Sequence, residues 1–262
     1  MKDIELNPLN SNLRKLLQFG VALILVLFLV IYFVFLGKGQ NKVKNNAVYL
    51  QNGKLQIFDN FISFNPFPDK IIFHYPYFVV VKPTLKTTYI YNLENKKKEK
   101  EVNEIVLDYY KGNLLSNRGA ATLYNKQDLG VLCENGFIKS QYEILCVTKQ
   151  YTNYVENKLI SINIQTKSQK DIYSSNNLIT DVTVIGNNLY FGEAEFQNHK
   201  NYIYIDKEKI ETPNIVSLIY QMNDKPYFAS FKSTLNNQKE SYYLIEKGKT
   251  SKQEEGKIVL YK

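Results

Sequence analysis

The sequence predicts an all-β domain of recurring short strands, placed behind one transmembrane α-helix. Three observations carry that expectation. Residues 19–36 form an apolar run with no charged residue and no proline. The chain beyond that run is rich in Tyr, Phe, Ile and Val, which suit a pleated, half-buried surface. From Ile71 onward, a short apolar strand, a tight polar turn and a second apolar strand recur. The second strands begin near Tyr77, Asn113, Tyr142, Leu189 and Tyr227, a mean spacing of about 38 residues.

Residues 1–18 are a polar tail broken by Asn7-Pro8. The run that follows, Phe19 to Leu36, has the length of about 18 residues at which a helix crosses the hydrocarbon core. A helix pairs every backbone amide within itself, which lipid requires. The run exceeds the apolar core of about 7–15 residues found in cleaved signals, and its end, Phe35-Leu36-Gly37-Lys38, has no small-x-small cleavage site. Being apolar on every side, it does not read as an amphipathic core helix. A retained anchor over 19–37 is therefore expected. Lys2, Arg14 and Lys15 before it balance Lys38, Lys42 and Lys44 after it, so flanking charge does not set the direction. A short leader, one span and a large C-terminal domain form a signal-anchor arrangement. It places the N-terminus in the cytoplasm and the domain outside the cell membrane. Residues 38–46 read as a basic linker.

The domain spans 47–262. It opens with a hairpin, Ala47 to Gln51 and Lys54 to Phe58, around Asn52-Gly53, a pair suited to the two left-handed positions of a type I′ turn. Phe61 to Asp69 contains Pro66 and Pro68 and reads as a loop. Five hairpins follow: Ile71–Val81, Ile105–Leu115, Phe137–Val147, Val182–Phe191 and Ile215–Phe231. A third strand, a polar turn and a weaker fourth strand often come next, as at Thr88 to Lys97 and Leu159 to Ser168.

Two strands, a loop, a third strand, a turn and a fourth strand make up a propeller blade. Tyr91-Asn92-Leu93-Glu94-Asn95-Lys96 and Ile162-Asn163-Ile164-Gln165-Thr166-Lys167 carry the third-to-fourth-strand signature. On these segments the chain resembles the bacterial TolB-like or WD40-like β-propeller repeats. It lacks their Trp residues and Ser-Pro-Asp-Gly turns, and its second unit is short for four strands. The resemblance implies a β-propeller of about five blades, with a β-sandwich or stacked meanders as the competing fold. In a propeller, the hairpin at 47–58 and the strand Lys257–Tyr261 would complete one another's sheet and remove a free edge.

Chemistry is sparse. The net charge is +8, with lysines spread along the chain rather than clustered with aromatics, which points away from nucleic acid. The expected partners are the bilayer, through 19–36, and an envelope protein or anionic polymer. Cys133 and Cys146 sit in apolar runs and read as buried thiols, with a disulfide open to an extracytoplasmic domain. No metal-ligand spacing, nucleophile elbow or phosphate loop occurs, so no cofactor, metal or catalytic residue is assigned. His74 reads as packed at a strand end, and Asp108 and Asp181 as turn caps or residues of a channel mouth. Glu193 and Glu195 share a strand face two apart. Tyr109, Tyr110, Tyr151, Tyr154 and Tyr173 fall at strand ends and loops and are the candidate binding residues, since Tyr is favoured at interfaces. The expected function is a non-enzymatic binding or assembly module of the cell envelope. The alternative is an envelope glycan hydrolase or lyase using carboxylates on one propeller face.

Overall fold

A computed structural model describes residues 47–51, 54–58, 60–63, 70–82, 85–151, 155–231 and 239–261. The tail, anchor helix and linker expected over 1–46 lie outside the described residues. Among the described residues no helix is long and apolar enough to cross a membrane.

Among the described residues, twenty-four strands form six four-stranded antiparallel sheets, arranged as the blades of a propeller. Blade I joins both ends of the domain: β24 (Lys257–Tyr261) pairs with β1 (Val48–Gln51), followed by β2 (Lys54–Ile57) and β3 (Asn60–Ser63). Blade II is β4 (Lys70–His74), β5 (Tyr77–Lys82), β6 (Thr87–Asn92) and β7 (Lys97–Val102). Blade III is β8 (Ile105–Tyr110), β9 (Asn113–Arg118), β10 (Ala121–Tyr124) and the two-residue β11 (Gln127–Asp128). Blade IV is β12 (Asn135–Ile138), β13 (Glu143–Tyr151), β14 (Val155–Asn163) and β15 (Gln169–Ser175). Blade V is β16 (Leu178–Ile185), β17 (Asn188–Glu195), β18 (Lys200–Ile205) and β19 (Glu208–Thr212). Blade VI is β20 (Leu218–Met222), β21 (Lys225–Ser230), β22 (Ser241–Glu246) and β23 (Lys249–Glu255).

The expected count of about five blades is corrected to six. The sixth is blade I, which is split between the two ends and so does not recur as a continuous unit. The ladder from Val48↔Tyr261 to Gln51↔Lys257 closes the ring, as the two terminal segments lead one to expect. The second repeat unit, short in sequence, becomes blade III and still forms four strands because its last strand shrinks to two residues. Part of the expected loop 61–69 is strand, since β3 runs through Ser63.

The core lies between blades. Blades II and III meet through Val79, Ile90, Val106 and Tyr109. Blades III and IV meet through Leu115, Ile144 and Ile160, and blades IV and V through Phe137, Leu159, Val182 and Phe191. Blades V and VI share Ile203, Ile219 and Phe228. The closure has a cluster of its own, with Leu50, Ile57, Phe78, Tyr220, Ile258 and Leu260. The Tyr220 hydroxyl donates to the Val259 carbonyl at 2.7 Å, tying β20 to β24. Outer strands such as β7, Lys-Lys-Glu-Lys-Glu-Val, are exposed and charged, which discourages pairing at the rim.

Cys133 and Cys146 are not free thiols. They form a disulfide inside the blade III–IV cluster, with a Cα separation of 5.4 Å and no solvent exposure at either residue.

Candidate functional site

The innermost strands β24, β4, β8, β12, β16 and β20 line the axis. They begin at one end of the ring, the loop face, and finish at the other, the turn face.

Two β-bulges aim carboxylates inward. The irregularity between Val106 and Asp108 frees Leu107 from pairing, and the one between Ile179 and Val182 releases Thr180 and Asp181. Asp108, fully buried, accepts the Tyr109 amide at 2.8 Å and the Ile138 amide of blade IV at 2.6 Å. It also meets His74 Nδ1 at 2.8 Å. The His74 ring is stacked between Tyr110 and Phe137, with centroids at 4.0 and 4.2 Å. Asp181 accepts the Ile219 amide of blade VI at 2.7 Å. These aspartates therefore stitch neighbouring blades rather than cap turns, and His74 belongs to the same structural unit.

Lys70, on β4, donates to Asn135 Oδ1, and Asn135 Nδ2 donates to the Thr180 carbonyl at 2.7 Å. Burial lowers the pKa of the Lys70 ammonium, opposed by the charges of Asp181, Glu134 and Asp108. Burial pushes the Asp181 carboxyl up to about 6, against the Ile219 and Val182 amides and Lys70. The cavity among Lys70, Asn135, Asp181, Thr183 and Leu218 holds about 10 Å³, near the lower limit for a single water. Asp181 is the one carboxylate that lines it, and the space is too small for a sugar ring.

Glu193, also buried, lies between blades IV and V. Its Oε1 accepts from Ser175 Oγ at 2.5 Å, the Tyr173 hydroxyl at 3.1 Å and Asn177 Nδ2 at 3.2 Å. Its Oε2 accepts from the Tyr204 hydroxyl at 2.8 Å. Burial opposes ionisation, but these hydrogen bonds outweigh it and hold the pKa below the usual carboxylate range. Glu195 bonds Asn198 and Tyr202 instead. The two glutamates are thus a brace between blades and a loop contact.

The candidate tyrosines do not form one site. Tyr109 is buried and its hydroxyl donates to Glu99 at 2.7 Å. Tyr110 is partly covered by His74, and Tyr173 is half-buried against Glu193 and Tyr204. Tyr151 ends β13, and Tyr154 lies outside the described residues. Three of the five thus serve packing, because strand ends in a propeller abut the neighbouring blade.

The open surfaces are elsewhere. On the loop face, Ile105, Leu132 and Leu178 lie at or just before the starts of three consecutive inner strands and are 46, 41 and 37 % exposed. Leu85 and Phe196 stand on the same face, at 63 and 61 %. Phe196 follows β17 two residues beyond Ala194, which is registered opposite Leu178. On the turn face, a cavity of about 260 Å³ is lined by Tyr75, Gln221, Met222, Asn223, Asp224 and Tyr261. Asn223 and Asp224 form its β20–β21 wall in left-handed conformations, φ 51° and 60°, as a type I′ turn requires. No local signal in the sequence singles these residues out as a surface. A leucine or isoleucine at a strand start signals core until the ring shows which ends have no neighbour.

Among the described residues, no group of three or more His, Cys, Asp or Glu could hold a metal ion. No protein-family model and no curated protein matches the chain. Among solved structures, a chain of the nidogen/laminin complex is similar with a TM-score of 0.52 at 9 % identity, covering 82 % of this chain and 96 % of that one. The N-terminal domain of Nup159 is similar at 10 % identity with a TM-score of 0.34, covering 80 % of this chain and 68 % of that one. At such identities the first likeness bears on the fold alone, which is a propeller.

Proposed function

We propose that this chain is a membrane-anchored, extracytoplasmic binding module that receives a protein partner on its loop face. A propeller suits binding or assembly because its rigid ring presents many connections at each end. The observation that carries the reading is the gathering of Ile105, Leu132 and Leu178 around the loop-face end of the axis, flanked by Leu85 and Phe196. Exposed apolar residues scattered singly mean little, whereas several on one face mark a contact surface. The Cys133–Cys146 disulfide supports placement in an oxidising compartment, and the apolar run over 19–36 supports the anchor. The hydrolase alternative has less support, since the axial cavity is lined by one carboxylate, Asp181, and has room for about one water.

The test is in-cell cross-linking of the full chain, comparing wild type with the triple variant Ile105→Asp, Leu132→Asp, Phe196→Asp. A discrete adduct should form with wild type, vanish with the triple variant and persist with Tyr142→Asp on the turn face. An adduct equally strong in the triple variant refutes the loop-face assignment. Protease added to intact cells should cut the domain, and protection until lysis would refute the extracytoplasmic placement.

A further inference from the structure

Among the described residues, the turns of the turn face hold more lysines than carboxylates. Lys111, Lys126, Lys167, Lys207 and Lys247 occupy five separate turns, β8–β9, β10–β11, β14–β15, β18–β19 and β22–β23, in blades III to VI. All five are exposed, and none has a carboxylate partner within ion-pair distance among the described residues. Most carboxylates at this end are already engaged. Asp206 accepts the Leu189 amide, Asp224 accepts from Gln221, Glu143 pairs with Lys139, and Glu246 lies 3.9 Å from Lys225. The described loop-face connections hold Lys86 and Lys239 alongside Glu104, Glu134 and Glu240, a mixed set.

Local turn chemistry does not account for these lysines. Lys111, Lys126, Lys167 and Lys247 have φ of 47°, 72°, 58° and 52°, the left-handed region that glycine and asparagine occupy with least strain. A lysine there is conformationally unfavourable, so its charge is the property that distinguishes it. Tyr75 and Tyr142, exposed by 46 and 50 %, stand on the same face. Lysine combined with tyrosine suits the membrane–water interface, where an amphipathic ring sits at headgroup level beside cationic side chains. The chain also enters the propeller here. Val48 is registered against Tyr261 at the end of β24, so the first described strand begins at the turn face.

We propose that the turn face binds the anionic lipid headgroups of the membrane that holds residues 19–36, with the five lysines matched to headgroup phosphates. The loop face then points outward, available to a partner. This inference rests on the membrane-anchor reading.

The test reconstitutes the full chain into two vesicle types, pure phosphatidylcholine and phosphatidylcholine with about 30 % phosphatidylglycerol. Flotation after alkaline extraction shows whether the chain is anchored, and a chain that does not float refutes the anchor and the proposal with it. For floating protein, the rate of lysine acetylation is read site by site by mass spectrometry. Lys111, Lys126, Lys167, Lys207 and Lys247 should react about threefold more slowly on anionic vesicles, and the protection should disappear in about 1 M salt, where charges are screened beyond about 3 Å. Lys86 and Lys239 should react equally on both. The triple variant Lys126→Glu, Lys167→Glu, Lys247→Glu should return Lys111 and Lys207 to the zwitterionic rate, with unchanged Lys86 and Lys239 labelling showing that it is folded. Anchored protein whose turn-face lysines react at equal rates on both vesicles overturns the proposal while leaving the anchor standing. Equal protection by soluble polyphosphate on zwitterionic vesicles overturns the assignment to lipid.

Discussion

Replacing Glu193 tests how the blades are held together. The carboxylate collects four hydrogen bonds from two blades, and two of the donors are the Tyr173 and Tyr204 hydroxyls. Tyr204 is only 8 % exposed and stacks on Phe191, so its hydroxyl cannot turn to bulk water when the carboxylate is removed. It keeps one bond, to the Tyr173 hydroxyl at 3.0 Å. Ser175 and Asn177 are half-buried and regain water more readily. Leaving a buried donor without its acceptor costs about 1–3 kcal/mol, so Glu193→Ala, which takes the acceptor from both the Tyr173 and Tyr204 hydroxyls, should lose about 3 kcal/mol of a domain stability of about 5–15 kcal/mol. Glu193→Gln keeps an acceptor for Ser175, Tyr173 and Asn177 and obliges only Tyr204 to reverse its bond, at about 1–2 kcal/mol. Urea unfolding followed by near-UV circular dichroism reads both, since the chain has 21 tyrosines and no tryptophan to obscure them. The pH dependence has a definite sign. The folded pKa of Glu193 is depressed, so its contribution is complete above the unfolded value of about 4.3 and is lost as pH falls through the folded value. The gap between wild type and Glu193→Gln should therefore narrow below about pH 4. A Glu193→Ala variant within about 0.5 kcal/mol of wild type would show that the cluster is incidental.

Three further outcomes follow from the packing and the axis. At Gly192 an added Cβ would lie 2.4 Å from Thr180 Oγ1 and 2.8 Å from Val216 Cβ, both on stiff β-branched residues. Gly192→Ala should cost about 3 kcal/mol, whereas Gly136→Ala, which meets the far end of Leu115 at 2.6 Å, should cost about 1 kcal/mol; thermal melts giving equal losses would refute the contrast. Asp181 has a folded pKa of about 6, above its unfolded value of 3.8, so its effect on stability declines as pH rises across that window. Asp181→Asn, which keeps an acceptor for the Ile219 amide, should remove this decline, and identical pH slopes in urea titrations would count against it. The disulfide closes a short loop, with a separation of 13 residues, so Cys133→Ala with Cys146→Ala should lower stability by about 3 kcal/mol and the melting point by about 10 °C. Because both cysteines are fully buried, dithiothreitol should leave the native protein oxidised and reduce it only in denaturant, as thiol titration would show.

Local chemistry made the strands legible. The third strands at 88–93 and 159–164 are read from alternating apolar residues and an Asn-led turn, whereas the outer strands Lys97–Val102 and Gln169–Ser175 carry no such alternation. In both, that Asn accepts two turn amides, Asn92 from Glu94 and Asn95, and Asn163 from Gln165 and Thr166. The terminal strand 257–261 was also recognisable as a partner for the first hairpin, because each lacked a neighbour of its own. The candidate surfaces were much less legible. Tyr109 and Ile105 are near neighbours on one strand, yet the tyrosine is buried and the isoleucine exposed.

Strands, turns and the apolar run at 19–36 are legible in the residues alone. The strands and turns depend on side-chain alternation or turn conformation within about ten residues, and the run on the absence of any charged residue. It takes the assembled ring to show that there are six blades, that Cys133 meets Cys146, that Lys70 reaches Asn135 two blades away, and that, among the described residues, five turn lysines share one end while Ile105, Leu132 and Leu178 share the other. Those facts depend on which strand ends the ring brings together. Pairing between distant strands is set by closure of the whole ring, a non-local condition that no short window of residues contains.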